Sequence, residues 1–154
     1  MDYHDLNVAC PKDNYLTPFI DQVIDECAGH EVLSFINGFS GYNQIHIWYP
    51  DQHKTKFTTP WGTFAYRVIP FGLKNIGATF QCAMSYAFID LMDIILAYLD
   101  DLTTRSGKRH DHLSDLHHIF ERFRWFNIRL NPHKCIFCVT SIWLLSFIIS
   151  KKGI

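Results

Sequence analysis

The sequence lacks an excess of charge of either sign, since its 154 residues include 14 Lys and Arg against 15 Asp and Glu, a formal net charge of −1. Intrinsically disordered chains combine high net charge with low hydrophobicity, whereas 48% of these residues are apolar. The near balance also argues against a strongly basic nucleic-acid-binding protein, because phosphate contacts rely on clustered Lys and Arg. We therefore expect one compact domain with an apolar core.

The chain also lacks secretory and membrane signals. Its first residues contain neither the basic region nor the apolar region of a signal peptide. The longest apolar stretch, residues 135–149, is about five residues short of the ~20 that a membrane span needs. Five cysteines, an odd number, are typical of free thiols in a reducing compartment. We expect an intracellular protein, cytoplasmic or nuclear, that is not secreted and does not contact a membrane.

Hydrophobic periodicity predicts alternating helical and extended segments. Helices are predicted from Pro18, after the capping residue Thr17, to just before Gly29, over residues 78–91, and across the apolar face of Leu113, Leu116, Ile119, Phe120 and Phe123. Strands are predicted over residues 32–36, 43–49, 54–59, 63–68, 94–99 and 102–104, with a hairpin after Asn131-Pro132. This order predicts an α+β domain, an antiparallel sheet with helices packed on one face.

Two adjacent aspartates directly follow the predicted strand of residues 94–99. Asp100 and Asp101 repel one another there, and alternation along a strand directs their side chains toward opposite faces. A divalent cation relieves such repulsion, and carboxylate oxygens suit Mg²⁺. An aspartate-rich turn between two strands explains the same pair without a metal, so the pair alone leaves both interpretations open.

The residues around this pair extend the pattern over the whole chain. Tyr98-Leu99-Asp100-Asp101 resembles the Tyr-x-Asp-Asp motif of reverse transcriptases. Matching segments in the same order include Ser40-Gly41-Tyr42, Pro70-Phe71-Gly72-Leu73-Lys74-Asn75, Ala78-Thr79-Phe80-Gln81, Leu130-Asn131, Lys134-Cys135 and Ile149-Ser150 with Gly153-Ile154. The chain therefore resembles the reverse transcriptase domain of gypsy-class LTR retrotransposons.

The resemblance implies a right-hand polymerase fingers/palm fragment. We expect residues 1–154 to form a single reverse transcriptase fingers–palm domain, truncated at the start of the fingers and lacking the thumb and RNase H. The ancestral reaction adds dNTPs to a primer on an RNA or DNA template by phosphoryl transfer between two Mg²⁺ ions. The implied partners are an RNA/DNA primer–template and a dNTP, and protein partners are unknown.

The resemblance also assigns roles to individual residues. Asp100 and Asp101 match the paired metal ligands, and Tyr42 matches the aromatic residue beneath the incoming sugar. The loop that lines the nucleotide and the template base corresponds to Phe71 and Gly72. Tyr98, the first residue of the aspartate motif, completes the implied nucleotide-binding set.

One departure from the family affects the metal ligands. Five residues before the Tyr42 position, where the family has an aspartate, this chain has Asn37. An amide brings no negative charge to two closely spaced cations, so we expect weakened Mg²⁺ binding. Residues 144–147, Leu-Leu-Ser-Phe, also replace the family's Phe-Leu-Gly-His. The resemblance therefore predicts a domain whose catalysis is impaired or absent.

Two alternatives of other classes remain open. A zinc-binding module is indicated by four histidines and a Cys-x-x-Cys pair, although a solvated helix face and buried thiols explain them more simply. These residues are His110, His112, His117, His118, Cys135 and Cys138. A non-catalytic nucleic-acid- or protein-binding remnant is indicated by a basic and aromatic set. Its members are Arg105, Lys108, Arg109, Arg122, Arg124, Trp125, Phe126 and Arg129.

Overall fold

The computed structural model describes residues 2–144 and 146–151. Its α-helices are α1 (His4–Ala9), α2 (Ile20–Cys27), α3 (Ile76–Ala87) and α4 (His112–Trp125). Its strands are β1 (Val32–Asn37), β2 (Phe57–Thr59), β3 (Gly62–Phe64), β4 (Ile95–Tyr98), β5 (Asp101–Ser106), β6 (Ile136–Val139), β7 (Ser141–Leu144) and β8 (Phe147–Ser150). Short 3-10 helices span Gly41–Gln44, Tyr49–Thr55 and Pro132–Lys134. Among these described helices, none is long and apolar enough to cross a membrane.

Four antiparallel strands form the central sheet in the order β4-β5-β1-β6. Strand β5 pairs with β1 from Val32↔Ser106 to Asn37↔Asp101, and with β4 in a hairpin that closes at Tyr98↔Asp101. Both ladders end at Asp101, so the register of the sheet places Asn37 directly beside the aspartate pair. Strands β2–β3 and β7–β8 form separate two-stranded sheets.

Two apolar cores lie on opposite faces of the central sheet. Helices α3 and α4 cover one face, where Phe80 and Ile119 pack with Ile36 and its neighbours. Helix α2 and the β7–β8 sheet cover the other face, where Val23 packs with Leu33. Successive side chains of a strand point to opposite faces, so β1 contributes to both cores. The predicted antiparallel α+β architecture is confirmed, and its carboxylate hairpin is held between these two layers.

Several predicted elements are present with different ends. Strand β1, the β4–β5 hairpin, helix α4 and a shorter β2–β3 hairpin are confirmed. Helix α2 begins at Ile20 after Phe19, not at Pro18, although Gly29 follows it at the expected left-handed position with φ +81°. Helix α3 begins two residues before Ala78 and ends at Ala87, short of the predicted end.

The predicted strand over residues 43–49 is wrong. The side-chain amide of Gln44 donates to the Phe39 carbonyl at 2.7 Å and to the Arg129 carbonyl at 2.9 Å, which holds this segment against the loop after α4. Its backbone forms parts of two 3-10 helices and a single bridge, His46↔Val68. The apolar alternation reflects burial against neighbouring segments and not pairing within a sheet.

The end of the chain differs from the single predicted hairpin. Strand β6 joins the central sheet beside β1, and among the described residues after Asn131 the hairpin consists of β7 and β8. Ser146 in the turn between them has φ +75°, in the region that favours glycine. Leu145 and the matching Gly153-Ile154 pair lie outside the described residues.

Three predictions of side-chain burial are wrong. Leu113, placed on the apolar face of α4, is 71% exposed. Cys138, expected to be a buried thiol, is exposed. His112, expected on a solvated helix face, is only 1% exposed. In this last case the imidazole is hydrogen-bonded between Ser34 of β1 and Ser106 of β5, so it lies inside the fold.

His112 belongs to a buried chain of hydrogen bonds beneath α4. Its Nε2 lies 2.7 Å from Ser34 Oγ and its Nδ1 lies 2.8 Å from Ser106 Oγ. Ser34 Oγ accepts the Cys138 N–H, and Ser106 Oγ donates to the Asp115 carboxylate. Because the Ser106 hydroxyl proton is used by Asp115, the Nδ1–H of the neutral imidazole donates to Ser106, and the Ser34 hydroxyl donates to Nε2. Burial lowers the pKa of His112. The neutral ring joins α4 to strands β1 and β5, and Ser34 extends the chain of hydrogen bonds to β6.

We expect acid to destabilise the domain through His112. Because its pKa is lowered in the fold, the unfolded chain takes up a proton first as the pH falls below the ordinary value of 6.5. His112→Gln removes this titration, and at high pH the lost hydrogen bonds lower the free energy of unfolding by about 1–3 kcal/mol. Urea unfolding from about pH 8 to about pH 5 should show the wild-type advantage shrinking. An advantage that is constant across this range would contradict the assignment.

Candidate active site

The hairpin between β4 and β5 carries the two aspartates of the sequence motif. Leu99 and Asp100 form its two-residue turn, and Asp101 is the first residue of β5. Leu99 has φ +53°, which is uncommon for a residue other than glycine. Both aspartates are partly exposed. The two carboxylates therefore lie together at one end of the central sheet.

Asn37 contacts this hairpin from the neighbouring strand β1. Its Nδ2 donates a hydrogen bond to Asp101 Oδ1 at 2.9 Å and a longer one to the Asp100 carbonyl at 3.5 Å. The backbone N–H of Gly38 also donates to the Asp100 carbonyl, at 3.2 Å. The amide thus directs an N–H group toward the carboxylate, at the position where an aspartate would direct a charged oxygen.

The pKa values of two side chains at the site are raised above their ordinary values. Burial raises the pKa of the Asp101 carboxyl, and the charge of Asp100 also raises it. The hydrogen bond from Asn37 and the positive charge of Lys134 oppose this rise without cancelling it. Burial and the two carboxylates also raise the pKa of the Tyr42 hydroxyl. Burial and the neighbouring carboxylate therefore disfavour the ionised form of Asp101 in this environment.

Aromatic rings form a wall beside the hairpin. Tyr42 meets Phe71 edge-on with 5.7 Å between ring centroids, and Phe80 with 5.1 Å. Gly41 permits a close approach here, since a Cβ at this position would lie 3.0 Å from the Phe80 ring and 3.3 Å from the Asp100 Cβ. The adjoining cleft, of about 250 Å³, is lined by residues 37–42 with Phe71, Asp100, Asn131 and Lys134.

The structure brings some of the predicted site residues together and separates others. Tyr42, Phe71 and Asp100 border the cleft described above. Gly72 follows Phe71 with φ +99°, but is not among the residues that line the cleft. Tyr98 packs against the core on the α2 face of the sheet and borders a different cavity, beside residues 12–21. Nucleotide binding by Gly72 and Tyr98 stays a prediction.

Three residues of the site were not singled out from the sequence. Lys134 and Asn131 reach the cleft from the 3-10 segment before β6, and Gly41 supplies the close approach beside Asp100. All three lie in segments that match the family motifs. Their membership of these motifs could have marked them as candidate site residues. Their position at the cleft, however, depends on contacts between segments that are distant in sequence.

No described group of three or more His, Cys, Asp or Glu side chains is arranged to hold a metal ion. The six residues of the zinc-binding alternative, all of them described, therefore form no such group. His112 is buried between two serines, and Cys138 is exposed. At the hairpin, the negatively charged groups that could ligate a cation are the carboxylates of Asp100 and Asp101.

An antiparallel sheet whose central hairpin presents paired carboxylates beside an aromatic cleft defines the palm of a nucleic-acid polymerase. The chain belongs to the reverse transcriptase (RNA-dependent DNA polymerase) family, whose sequence profile matches residues 1–149. The predicted resemblance is therefore confirmed.

Similar curated proteins are retrotransposon polyproteins. The chain is 30% identical over 156 residues to the retrovirus-related Pol polyprotein from transposon 412 of Drosophila melanogaster, an alignment that covers 100% of this chain. It is 26% identical over 154 residues to the transposon Tf2-3 polyprotein of Schizosaccharomyces pombe, covering 99% of this chain. The chain spans 12% of the length of each of these relatives. It is a reverse transcriptase domain of the kind found in retrotransposon polyproteins.

Solved structures with a similar fold include the foamy viral protease-reverse transcriptase. The form in complex with an RNA/DNA hybrid has a TM-score of 0.88 and 20% sequence identity, covering 99% of this chain and 21% of that one. A form in complex with double-stranded DNA has a TM-score of 0.89 and 20% identity, covering 99% and 27%. These similarities confirm the predicted fingers/palm fold.

We expect Gly41→Ala to destabilise the site. The new methyl group would meet the buried Phe80 ring at 3.0 Å, and such overpacking lowers the free energy of unfolding by about 1–3 kcal/mol. Gly107→Ala is the matched control, since a Cβ at Gly107 meets no atom within 4 Å. Urea unfolding of both variants measures the difference. Equal stability of the two would contradict the close approach at Gly41.

Proposed function

We propose that this domain is a reverse transcriptase palm that binds a primer–template and a dNTP but performs templated nucleotide addition poorly. The observation that carries the proposal is the hydrogen bond from Asn37 to Asp101. It directs an N–H group, and no charge, toward the place where a third carboxylate would face a cation. The domain thus keeps the paired carboxylates and the aromatic cleft, and lacks one negative ligand.

The donor set fits one divalent cation and not two. Asp100 and Asp101 lie together at the end of the sheet and offer the hard carboxylate oxygens that Mg²⁺ prefers. Bound Mg²⁺ would stabilise negative charge on the reacting phosphoryl oxygens and favour the deprotonated primer hydroxyl. Asn37 already uses an amide N–H on Asp101, so we propose that a second cation binds weakly.

The other side chains of the cleft fit the binding of a nucleotide. Tyr42 is held by edge contacts with Phe71 and Phe80, and we propose that its ring supports the sugar. Phe71 is 63% exposed and is available to pack against a base. Lys134 brings positive charge to the same cleft, where it would attract the anionic triphosphate.

The complexes of the similar structures support nucleic acid as the partner. The foamy viral protein of the same fold was solved with an RNA/DNA hybrid and with double-stranded DNA. We propose that this domain contacts a primer–template across the corresponding face. Because the related polyproteins are much longer, we treat polymerisation by this domain as the property to be tested.

The alternative of a non-catalytic nucleic-acid- or protein-binding remnant has less support. Arg105 forms an ion pair with Glu26 at 2.7 Å, and Arg122 forms one with Asp90 at 2.6 Å. Two of the six basic residues in the predicted patch are thus already paired. The positive charge left for phosphates is smaller than the sequence implies.

We expect Asn37→Asp to increase primer extension by about tenfold or more, because it restores a negatively charged cation ligand. The purified wild-type and variant chains are compared on an RNA template annealed to a DNA primer, with Mg²⁺ or Mn²⁺. Fluorescence anisotropy with the same labelled primer–template measures binding separately and should give similar affinities for both.

A double variant, Asn37→Asp with Asp100→Asn, is the control for this assay. It should lose the added extension because it again has only two carboxylates at the hairpin. Extension by the wild type equal to that of Asn37→Asp would contradict the proposed impairment. Absence of both binding and extension in the two chains would contradict reverse transcriptase function for this domain.

A further inference from the structure

We propose that Gln81 is the positioning residue that fixes the carboxylate hairpin for cation binding. Gln81 lies on α3 and is only 2% exposed. Its Nε2 donates to the Ala97 carbonyl at 2.9 Å, and its Oε1 accepts the backbone N–H of Leu99 at 2.8 Å. One buried amide thus holds the residues on either side of Tyr98, directly before Asp100.

The Gln81 amide pairs with the edge of the hairpin as a neighbouring strand would. Among the described strands, β4 lies at the edge of the central sheet and pairs with β5 on one side. A side-chain amide carries the same donor and acceptor as a peptide group, and Gln81 offers both to the edge of the hairpin. It therefore supports the hairpin from the side opposite to β5.

The segment held by Gln81 includes the unusual turn residue. Leu99 has φ +53°, a conformation that needs support from its surroundings when the residue is not glycine. The Leu99 side chain also lies near α3, since a Cβ at Gly77 would be 3.6 Å from its Cδ2. Helix α3 therefore binds Leu99 through both its backbone and its side chain.

The opposite side of the turn is held by β1. Gly38 N–H and the Asn37 amide donate to the Asp100 carbonyl, at 3.2 and 3.5 Å. The turn is thus fixed between Gln81 and the end of β1. If the hairpin moved away, both polar atoms of the Gln81 amide would be left buried without partners. Gln81 therefore favours a single position of the hairpin and of its two carboxylates.

This inference rests on the proposed function in one respect, namely that the hairpin binds a divalent cation through Asp100 and Asp101. Residues that orient metal ligands typically change metal affinity when they are replaced. A residue that only stabilises the fold lowers stability and leaves the cation affinity of the folded chain unchanged. The two roles are therefore separable by experiment.

The test compares Gln81→Met with Gln44→Met. Methionine preserves the length of glutamine and removes both hydrogen-bonding groups. Gln44 is a matched control because its amide also joins backbone groups, accepting the Arg129 N–H at 2.6 Å and donating to the Phe39 carbonyl. Its contacts do not include the hairpin. Both variants are measured well below their unfolding temperatures.

Two measurements are made on each full chain. Amide hydrogen exchange at Leu99, followed by NMR without metal, reports whether Gln81 holds the turn. Titration with Mn²⁺, followed by electron paramagnetic resonance, reports cation affinity in the wild-type and Asn37→Asp backgrounds. We expect Gln81→Met to speed Leu99 exchange about tenfold and to weaken Mn²⁺ binding by about tenfold. Gln44→Met should change neither.

Unchanged Leu99 exchange in Gln81→Met would overturn the proposal, as would Mn²⁺ affinity equal to that of the unsubstituted chain. An equal loss of Mn²⁺ affinity in Gln44→Met would also overturn it, by indicating a general loss of stability. If neither the wild type nor Asn37→Asp binds Mn²⁺, the proposed cation site fails and the cation part of this inference fails with it. Leu99 exchange then still decides whether Gln81 holds the turn.

Discussion

The antiparallel register between β1 and β5 is the constraint on which the site depends. It pairs Asn37 with Asp101, and the β4–β5 hairpin pairs the same aspartate with Tyr98. A shift of this register by one residue would turn every side chain of β1 to the other face and remove Asn37 from the carboxylates. Burial of Ile36 in one core and Leu33 in the other opposes such a shift. The composition of the two cores therefore fixes the geometry of the site.

Buried hydrogen bonds add to the apolar cores in determining how the elements pack. His112 joins α4 to strands β1 and β5 at one end of the sheet, whereas Gln81 and Asn37 hold the hairpin at the other end. Each is a buried side chain whose hydrogen-bond partners lie on other elements of the fold. Loss of such a partner leaves a polar group without compensation, which costs more than the net gain from an average hydrogen bond. These contacts therefore favour one arrangement among those that apolar burial alone would permit.

The sequence predicted those parts of the fold whose signal is local. An apolar run followed by Asp100-Asp101 identified the central hairpin, and the spacing of Leu116, Ile119 and Phe123 identified α4. Sequence-based prediction failed where contacts between distant segments determine the local structure or the burial of a side chain. The alternation in residues 43–49 predicted a strand, but Gln44 bonds to a loop 85 residues away. His112 was placed in solvent because its two serine partners cannot be recognised from helical spacing. At the site, motif resemblance identified Asn37 and Tyr42, whereas the support from Gln81 required the structure.

Under the proposed function, Asn37 has opposite effects on cation binding and on the stability of the cation-free hairpin. An aspartate there would bring a third carboxylate against Asp101, whose pKa is already raised by burial and by Asp100. Without a cation, that arrangement would be destabilised by repulsion between partly buried charges. The amide removes the repulsion and donates to Asp101 at 2.9 Å. Asn37 therefore stabilises the hairpin in the absence of metal, and under the proposed function it lacks the negative charge that a second cation would require. The near balance of charge, which argued against a nucleic-acid-binding protein, does not exclude membership of the reverse transcriptase family.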